Sequence, residues 1–377
     1  MIRLVLMIPT PDRGGAEKQL TLLATHLPRD RFDVTVCTLT RDGPYREELE
    51  RAEIPIVSLN KRWKIDPLAW RRAVRFLREH RPDIVHTWLF AANAYGRSAA
   101  LAAHVPHIVG AERCADHWKV WHELAIDRFL ARRSDRLVTN SVGVVEFYAR
   151  HGISADRFVV IPNAIEPYAP PSESTAPNWR QELGLPADAK LVGAVGRLWP
   201  QKRTEDLIWA SELLRVVRDD VFFLFAGDGP QRRSITALRD TLKLQGRVFL
   251  LGHREDVPQW LGQLDLFWTA SGYEGQSNAV MEAMRAGLPV IASDLPGHRE
   301  LITPGETGWL VPVGDRAEFA RRARWVLEHP REAAATGQAA ARRMAEAFSV
   351  QAMVERYVAF YEEIVSGTTR SPADATS

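Results

Sequence analysis

Two carboxylates, an arginine and a lysine stand in the second half of the chain in settings that suit chemistry. Glu274 and Glu282 are separated by seven residues in the run Ser271-Gly272-Tyr273-Glu274-Gly275-Gln276-Ser277-Asn278-Ala279-Val280-Met281-Glu282. Glu274 falls in a glycine-flanked loop after an apolar run, and Glu282 in the first turns of a helix expected around 278–286. Ionised carboxylates accept strong hydrogen bonds from sugar hydroxyls, and the helix start between them offers amides to a phosphate. Gly275, Gln276, Ser277 and Asn278 therefore join the two acids as candidate ligand contacts. Earlier, Val195-Gly196-Arg197-Leu198-Trp199-Pro200-Gln201-Lys202 follows another apolar run. There the planar fork of Arg197 and the point charge of Lys202 suit a diphosphate. The competing readings are a solvated loop for the two cations and a helix-dipole role for Glu282.

Weaker signals surround this set. Gly227-Asp228-Gly229 is a strand-end turn in which small residues let a ligand approach the backbone, and Arg254, after Gly252-His253, ends the next strand. Gly14-Gly15 closes the first strand-to-helix turn, where an anion can rest on free amides, or where the chain simply turns tightly. Gly-x-Gly-x-x-Gly is absent, which makes a nicotinamide dehydrogenase a weak proposal. There is no Asp-x-Asp either, so a metal bridging phosphates is not indicated; no metal and no other cofactor is expected.

These loops need a scaffold, and the pattern supplies one twice. The expected strands of the first half are 3–8, 33–39, 83–87, 107–110, 136–140 and 158–161, with helical patterns between them. A Pro- and Ser-rich stretch through Asn178 marks a boundary. The alternation restarts at 191–195, 221–226, 248–251, 264–269, 290–293 and 309–311. The reading is an α/β fold of two Rossmann-like domains, 1–165 and 166–349, facing across a cleft at the carboxyl ends of their strands. The aromatic-rich helix at 350–366 is expected to return to the first domain, and 367–377 to be a disordered tail.

Composition agrees with a soluble globular protein, and the cysteine count with a reducing compartment. Of 377 residues, 46% are hydrophobic and 25% charged, and Cys37 and Cys114 are the only cysteines. No stretch is long enough to span a bilayer and no signal-peptide cleavage site follows the first apolar run, so the cytoplasm is expected. A net charge of +2 argues against a nucleic-acid partner. Residues 1–160 nevertheless carry an excess of about six positive charges. Much of it lies in 61–81, where Trp63 and Trp70 accompany arginines around one amphipathic helix. That segment is read either as a contact with an anionic membrane at its inner face or as a packed helix with a solvated basic side.

Taken in order, Gly14-Gly15, Pro162-Asn163, Gly196-Arg197 with Lys202, Gly227-Asp228-Gly229, and Glu274 and Glu282 with Met284-Arg285-Ala286-Gly287-Leu288-Pro289-Val290 resemble glycosyltransferase family 4. Those proteins are retaining transferases of the GT-B fold. The resemblance implies a nucleotide diphosphate sugar as donor and a glycan or lipid-linked acceptor in cell-surface polysaccharide or glycolipid synthesis. It implies that Arg197 and Lys202 hold the diphosphate, Glu274 the donor sugar and Glu282 the ribose. The chain departs from its relatives in the first domain. A His-rich stretch is reduced to His86-Thr87-Trp88, and a sugar-contacting histidine is replaced by Gly110-Ala111-Glu112-Arg113, with His117 beyond. His86, Glu112, Arg113 and His117 are the acceptor-side candidates, each with a packing or solvated alternative. A GT-B epimerase or phosphorylase, and a non-catalytic subunit that binds sugar nucleotide, are the rival readings.

Overall fold

The structure is a computed structural model that describes residues 1–168, 178–254 and 256–367. Residues 169–177 of the Pro- and Ser-rich stretch, and the expected tail beyond Gly367, lie outside them. The chain divides into two compact units, 1–164 with 350–377 and 165–349, so the division falls one residue before the boundary drawn from sequence.

The first unit is built on seven parallel strands. They are β1 (Ile2–Ile8), β2 (Phe32–Thr38), β3 (Ile56–Ser58), β4 (Ile84–Trp88), β5 (His107–Glu112), β6 (Arg136–Thr139) and β7 (Phe158–Val160), in the spatial order β3-β2-β1-β4-β5-β6-β7. Both faces of the sheet are covered, which is why β1 reads as the unbroken apolar run Leu4 to Ile8. Alternate side chains serve different cores. Leu4, Leu6 and Ile8 pack with helix Gly15–His26 and with Met353, Tyr357 and Tyr361 of helix Val350–Ser366. Val5 and Met7 pack on the other face with helices Pro67–His80 and Leu89–Ala103.

The second unit has six parallel strands: β8 (Lys190–Val195), β9 (Val221–Ala226), β10 (Val248–Gly252), β11 (Leu266–Thr269), β12 (Val290–Ser293) and β13 (Trp309–Val311), in the order β10-β9-β8-β11-β12-β13. Phe223, Phe225 and Trp268 enter one core, and Phe222, Leu224 and Phe267 the other. The chain enters and leaves this unit side by side, where the Ile165 amide donates to the Phe348 carbonyl at 2.8 Å. In each sheet the strand order reverses once, between β1 and β4 and between β8 and β11. Loops leaving adjacent strands there diverge, and a crevice opens at the carboxyl edge.

Candidate functional site

At the β8–β11 reversal the loop 196–203 and the loop 270–277 leave neighbouring strands and are tied to each other. The Gly272 amide donates to the Gln201 carbonyl at 2.8 Å, and Gln201 Nε2 donates to the Tyr273 carbonyl at 2.9 Å. Lys202 closes the first loop as the last residue of a single 3-10 turn, Pro200–Lys202. Its ammonium forms an ion pair with the Glu274 carboxylate. Ser271 Oγ also donates to Glu274 Oε1 at 2.8 Å, and Gln201 Nε2 to Oε2 at 3.2 Å. Burial, which leaves the Glu274 side chain 9% exposed, works to raise its carboxyl. The charge and hydrogen bond of Lys202, His298 and the Ser271 hydroxyl outweigh burial and hold Glu274 below the ordinary carboxylate range.

Arg197 lies five residues before Lys202 on the same loop and is exposed, its guanidinium 5.7 Å from the Trp199 ring. The 227–229 turn is fastened beneath this loop: the Gly196 amide donates to Ala226 O at 3.0 Å and the Leu198 amide to Asp228 O at 2.9 Å. Gly227 has φ +141, and a Cβ there would sit 1.9 Å from the Gly196 carbonyl oxygen, so both backbone shape and contact demand glycine. The Asp228 carboxylate accepts from the Gly229 amide at 2.7 Å. Glu282 stands half-buried one turn into helix Asn278–Arg285, which begins with Asn278 after the buried Gly275, Gln276 and Ser277. Gln276 Nε2 donates to Glu300 at 2.9 Å. Arg254 pairs with Asp256 and rests 4.9 Å over the Trp179 ring. Thus the structure brings Lys202 and Glu274 into contact, places Arg197 and the 227–229 turn on the same stitched set of loops, and gives Arg254 a carboxylate of its own.

One neighbour of Glu274 escaped the sequence reading. His298, fully buried in helix Pro296–Leu301 after β12, bonds through Nδ1 to the Ser293 carbonyl at 2.7 Å. Its Nε2 has no partner among the described residues. Burial lowers its pKa, against the raising influence of the Glu274 charge and the Ser293 carbonyl. Gly297 permits this placement, since a Cβ there would lie 1.7 Å from the Gly275 carbonyl oxygen. The only available signal was that Pro296-Gly297 follows a strand, as the other site loops do.

The first-unit candidates separate into distinct environments. At the β1 turn, the Glu17 carboxylate already lies against Gly14: a Cβ on that glycine would meet Glu17 Oε2 at 2.1 Å. His86 is fully buried in β4, with Nδ1 2.7 Å from the Tyr361 hydroxyl and its ring 5.2 Å from that of Trp88. Burial, then the charge of Arg113, hold its pKa well below the usual histidine value. Glu112 is buried in an ion network, accepting from Lys119 Nζ at 3.1 Å, Tyr148 OH at 2.8 Å and Asn93 Nδ2 at 2.9 Å. Arg113, the next residue, faces elsewhere: 4.6 Å over the Trp88 ring, with the Tyr357 hydroxyl at 3.4 Å and Asn163 Oδ1 as partners. His117 is exposed and meets Phe147 edge-on at 4.8 Å. The structure therefore gathers His86 and Arg113 around Trp88 and sets Glu112 and His117 apart from them.

Residues 13–168 match the family model described as Glycosyltransferase Family 4, and residues 175–343 the one described as Glycosyl transferases group 1. The 2-deoxystreptamine N-acetyl-D-glucosaminyltransferase of Streptomyces fradiae is 28% identical over 339 residues, which are 83% of this chain and 78% of that protein. The UDP-Gal:alpha-D-GlcNAc-diphosphoundecaprenol alpha-1,3-galactosyltransferase of Escherichia coli is 27% identical over 320 residues, 78% of this chain and 79% of its own. The crystal structure of HepE from Anabaena in complex with UDP-glucose is 25% identical, with a TM-score of 0.85 over 96% of this chain and 100% of that one.

Proposed function

This chain belongs to glycosyltransferase family 4, with the GT-B fold, and on that premise we propose that it moves a sugar from a nucleotide diphosphate donor to a glycan or lipid-linked acceptor with retention at the anomeric carbon. The observation that carries the donor half is the contact of Lys202 with Glu274 on loops that also present Arg197. In this reading Lys202 and Arg197 face the diphosphate and Glu274 the hydroxyls of the sugar. Glu282, one turn into the adjoining helix, is assigned to the ribose.

In the proposed step the acceptor hydroxyl attacks the face from which the diphosphate departs. The bond from the anomeric carbon to the phosphate oxygen breaks, the new glycosidic bond forms, and the acceptor proton passes to the leaving phosphate. No protein base is then needed. The protein contributes positioning and fixed positive charge where negative charge gathers on the leaving group. Arg197 and Lys202 supply that charge in place of a metal, so transfer is expected to continue in excess chelator. The test is product analysis with labelled uridine, guanosine and adenosine diphosphate sugars, after a thermal-shift screen has chosen the donor. Labelled sugar in a larger product with retained configuration supports the proposal. Free epimerised sugar nucleotide, binding without turnover, or a strict need for magnesium or manganese would each overturn it in a different part.

For the acceptor we propose a molecule presented at an anionic membrane, met by the 61–81 segment. Between 61 and 81 eight residues are basic and two acidic. Helix Pro67–His80 starts cleanly because Asp66 accepts from the Ala69 amide at 3.0 Å and Pro67 takes the first position. Beside it an apolar groove of about 660 Å³ runs between Ile65, Trp70 and Tyr95 on one side and Ile126 and Phe129 on the other. Of the groove's lining residues Ile65 stands 80% exposed and Phe129 53%, and Trp63, two residues before Ile65, stands 62% exposed. Exposed apolar side chains on an arginine-rich segment fit an interface that is greasy within and negative at its surface. No helix among the described residues is long and apolar enough to cross a membrane. Reversing the charge of Arg71, Arg75 and Arg78 should release the protein from vesicles containing phosphatidylglycerol while leaving donor binding unchanged; undiminished vesicle binding would remove the membrane from the proposal.

A further inference from the structure

Among the described residues of the first unit two arginines are buried, and one of them has a counter-ion while the other has none. Arg97, fully buried, has Asp127 at 3.1 Å and Glu112 at 3.9 Å. Arg113, 8% exposed, has no carboxylate within ion-pair distance among the described residues. Its partners are neutral: the Asn163 amide oxygen, the Tyr357 hydroxyl at 3.4 Å and the face of Trp88 at 4.6 Å. Its Nε is buried without a partner, as is Nε1 of Trp88. Glu112, adjacent in sequence, does not help, because side chains alternate along β5 and its carboxylate is spent on Lys119. A buried cation is normally paired, and leaving one unpaired is costly.

The location gives the cost a purpose. Arg113 leaves the carboxyl end of β5 and covers Trp88 at the carboxyl end of β4, the strand that borders the reversal of order in this sheet. Open α/β sheets bind ligands in that crevice. A guanidinium presents a planar fork of donors that matches an oxyanion two bonds at a time, and an aromatic face beneath fixes the plane of that fork.

We infer that Arg113 is the counter-charge of a phosphoryl group bound at the carboxyl edge of the first sheet, so that the fold leaves it unpaired until a substrate supplies the anion. As a statement about transfer this rests on the function proposed above, with Arg113 holding a phosphorylated substrate; the anion site itself does not need that reading. The phosphoryl group has two chemical sources, an acceptor that carries a phosphate and the diphosphate of the donor.

The test uses the full chain carrying Arg197→Ala and Lys202→Ala, so that the cations of the second unit no longer contribute, with inorganic phosphate and then pyrophosphate as probes in thermal-shift and calorimetric titrations. Phosphate should still raise the melting midpoint. Adding Arg113→Gln or Arg113→Met should abolish that rise, and Arg113→Lys should keep part of it. Without phosphate, the Gln and Met variants should melt no lower than their parent, because they remove an uncompensated buried charge. In the otherwise wild-type chain, Arg113→Gln separates the sources. A loss of ten-fold or more in affinity for nucleoside diphosphate assigns the anion to the donor; unchanged affinity, together with a lost phosphate response, assigns it to the acceptor. If phosphate stabilises the Arg113→Gln and Arg113→Met variants as much as their parent, or if those variants lose several degrees without ligand while the parent ignores phosphate, Arg113 is a packing residue and the inference fails. Because the first arm reads anion binding rather than sugar transfer, it can succeed in a protein that transfers nothing, and the two claims fall separately.

Discussion

Lys202 and Glu274 hold each other in a pocket where water reaches neither well, with side chains 19% and 9% exposed. Removing one leaves the other charged and unpaired, which costs on the order of 2 kcal/mol for a pair only partly shielded from solvent. Replacing both by neutral residues should cost less stability than the two single losses added together. For activity, Lys202→Ala and Glu274→Ala should each lower kcat/KM by roughly 10²–10³ if both meet the departing diphosphate or the sugar. The double variant should fall well short of the product of those losses, since the two side chains act as one unit. Strictly multiplicative losses from steady-state kinetics would show that they act independently. The pH dependence has a definite sign. The folded carboxyl of Glu274 titrates below its unfolded value, so its stabilisation is complete above the unfolded pKa and is lost as pH falls through the folded one. Glu274→Gln should therefore flatten the acid limb of the melting curve and leave the neutral region parallel to wild type. This site was legible where chemistry and adjacency coincide: Arg197, Lys202, Glu274 and Glu282 each sit just beyond a strand or at a helix start. His298 was not, because it reaches Glu274 through the close approach of Gly297 to Gly275, a contact between loops more than twenty residues apart that no spacing announces.

Among the elements, the turn after β5 and helix Trp121–Ala131 share a buried ion network with an odd charge count. Lys119 Nζ lies 2.8 Å from Asp127, 3.1 Å from Glu112 and 3.3 Å from Asp116, and Arg97 adds a second cation 3.1 Å from Asp127. Three carboxyl groups thus face two cations, with the Tyr148 hydroxyl 2.6 Å from Lys119 and Asn93 donating to Glu112. Burial first, and then the charge of Glu112, push Asp127 up to about 6 against the pull of Lys119 and Arg97. A carboxyl raised on folding weakens the folded state as pH climbs from the unfolded pKa through the folded one, here from about 4 to 6. Asp127→Asn leaves two cations facing two acids and removes that penalty. The melting midpoint of the variant minus that of wild type should therefore rise between pH 4 and pH 7; a flat or falling difference would locate the surplus proton elsewhere. The strands were easier to read than this network. Buried parallel strands leave continuous apolar runs, and 221–226, 290–293 and 309–311 coincide with β9, β12 and β13. The strand that escaped is β3, three half-buried residues at the sheet edge, too short to carry a pattern. Glu112 escaped differently. One sequence position separates it from Arg113, yet the alternation along β5 sends one into the ion network and the other onto Trp88.

At the scale of the whole molecule, the two units differ in how the chain composes them. The second is one continuous segment, 165–349, closed on itself where Ile165 bonds to Phe348 and pairs with Ser349. The first is discontinuous and borrows helix Val350–Ser366, whose Met353, Tyr357, Phe360 and Tyr361 are buried in the core shared with Leu4, Leu6 and Leu23. The Tyr361 hydroxyl also lies 2.7 Å from Nδ1 of the buried His86, and the Tyr357 hydroxyl accepts from Arg113 at 3.4 Å. Burying a large aromatic side chain is worth about 2–3 kcal/mol, and stripping several from one face removes a sum comparable to the stability of a whole domain. A fragment spanning 1–164 should therefore be unfolded or aggregated on its own, and it should recover when residues 350–366 are supplied through a flexible linker, because the helix then meets its core at high effective concentration. The fragment 165–349 carries both of its cores and every donor-side candidate except Gly14 and Gly15, so it should fold cooperatively and bind nucleoside diphosphate without transferring sugar. Circular dichroism with a single sharp melting transition, together with calorimetric titration of the same sample, checks both halves of the expectation. A cooperative fragment 1–164 would mean that the last helix is an accessory to the first unit, and a fragment 165–349 that folds but ignores nucleotide would mean that Arg197, Lys202, Glu274 and Glu282 do not suffice to hold the donor.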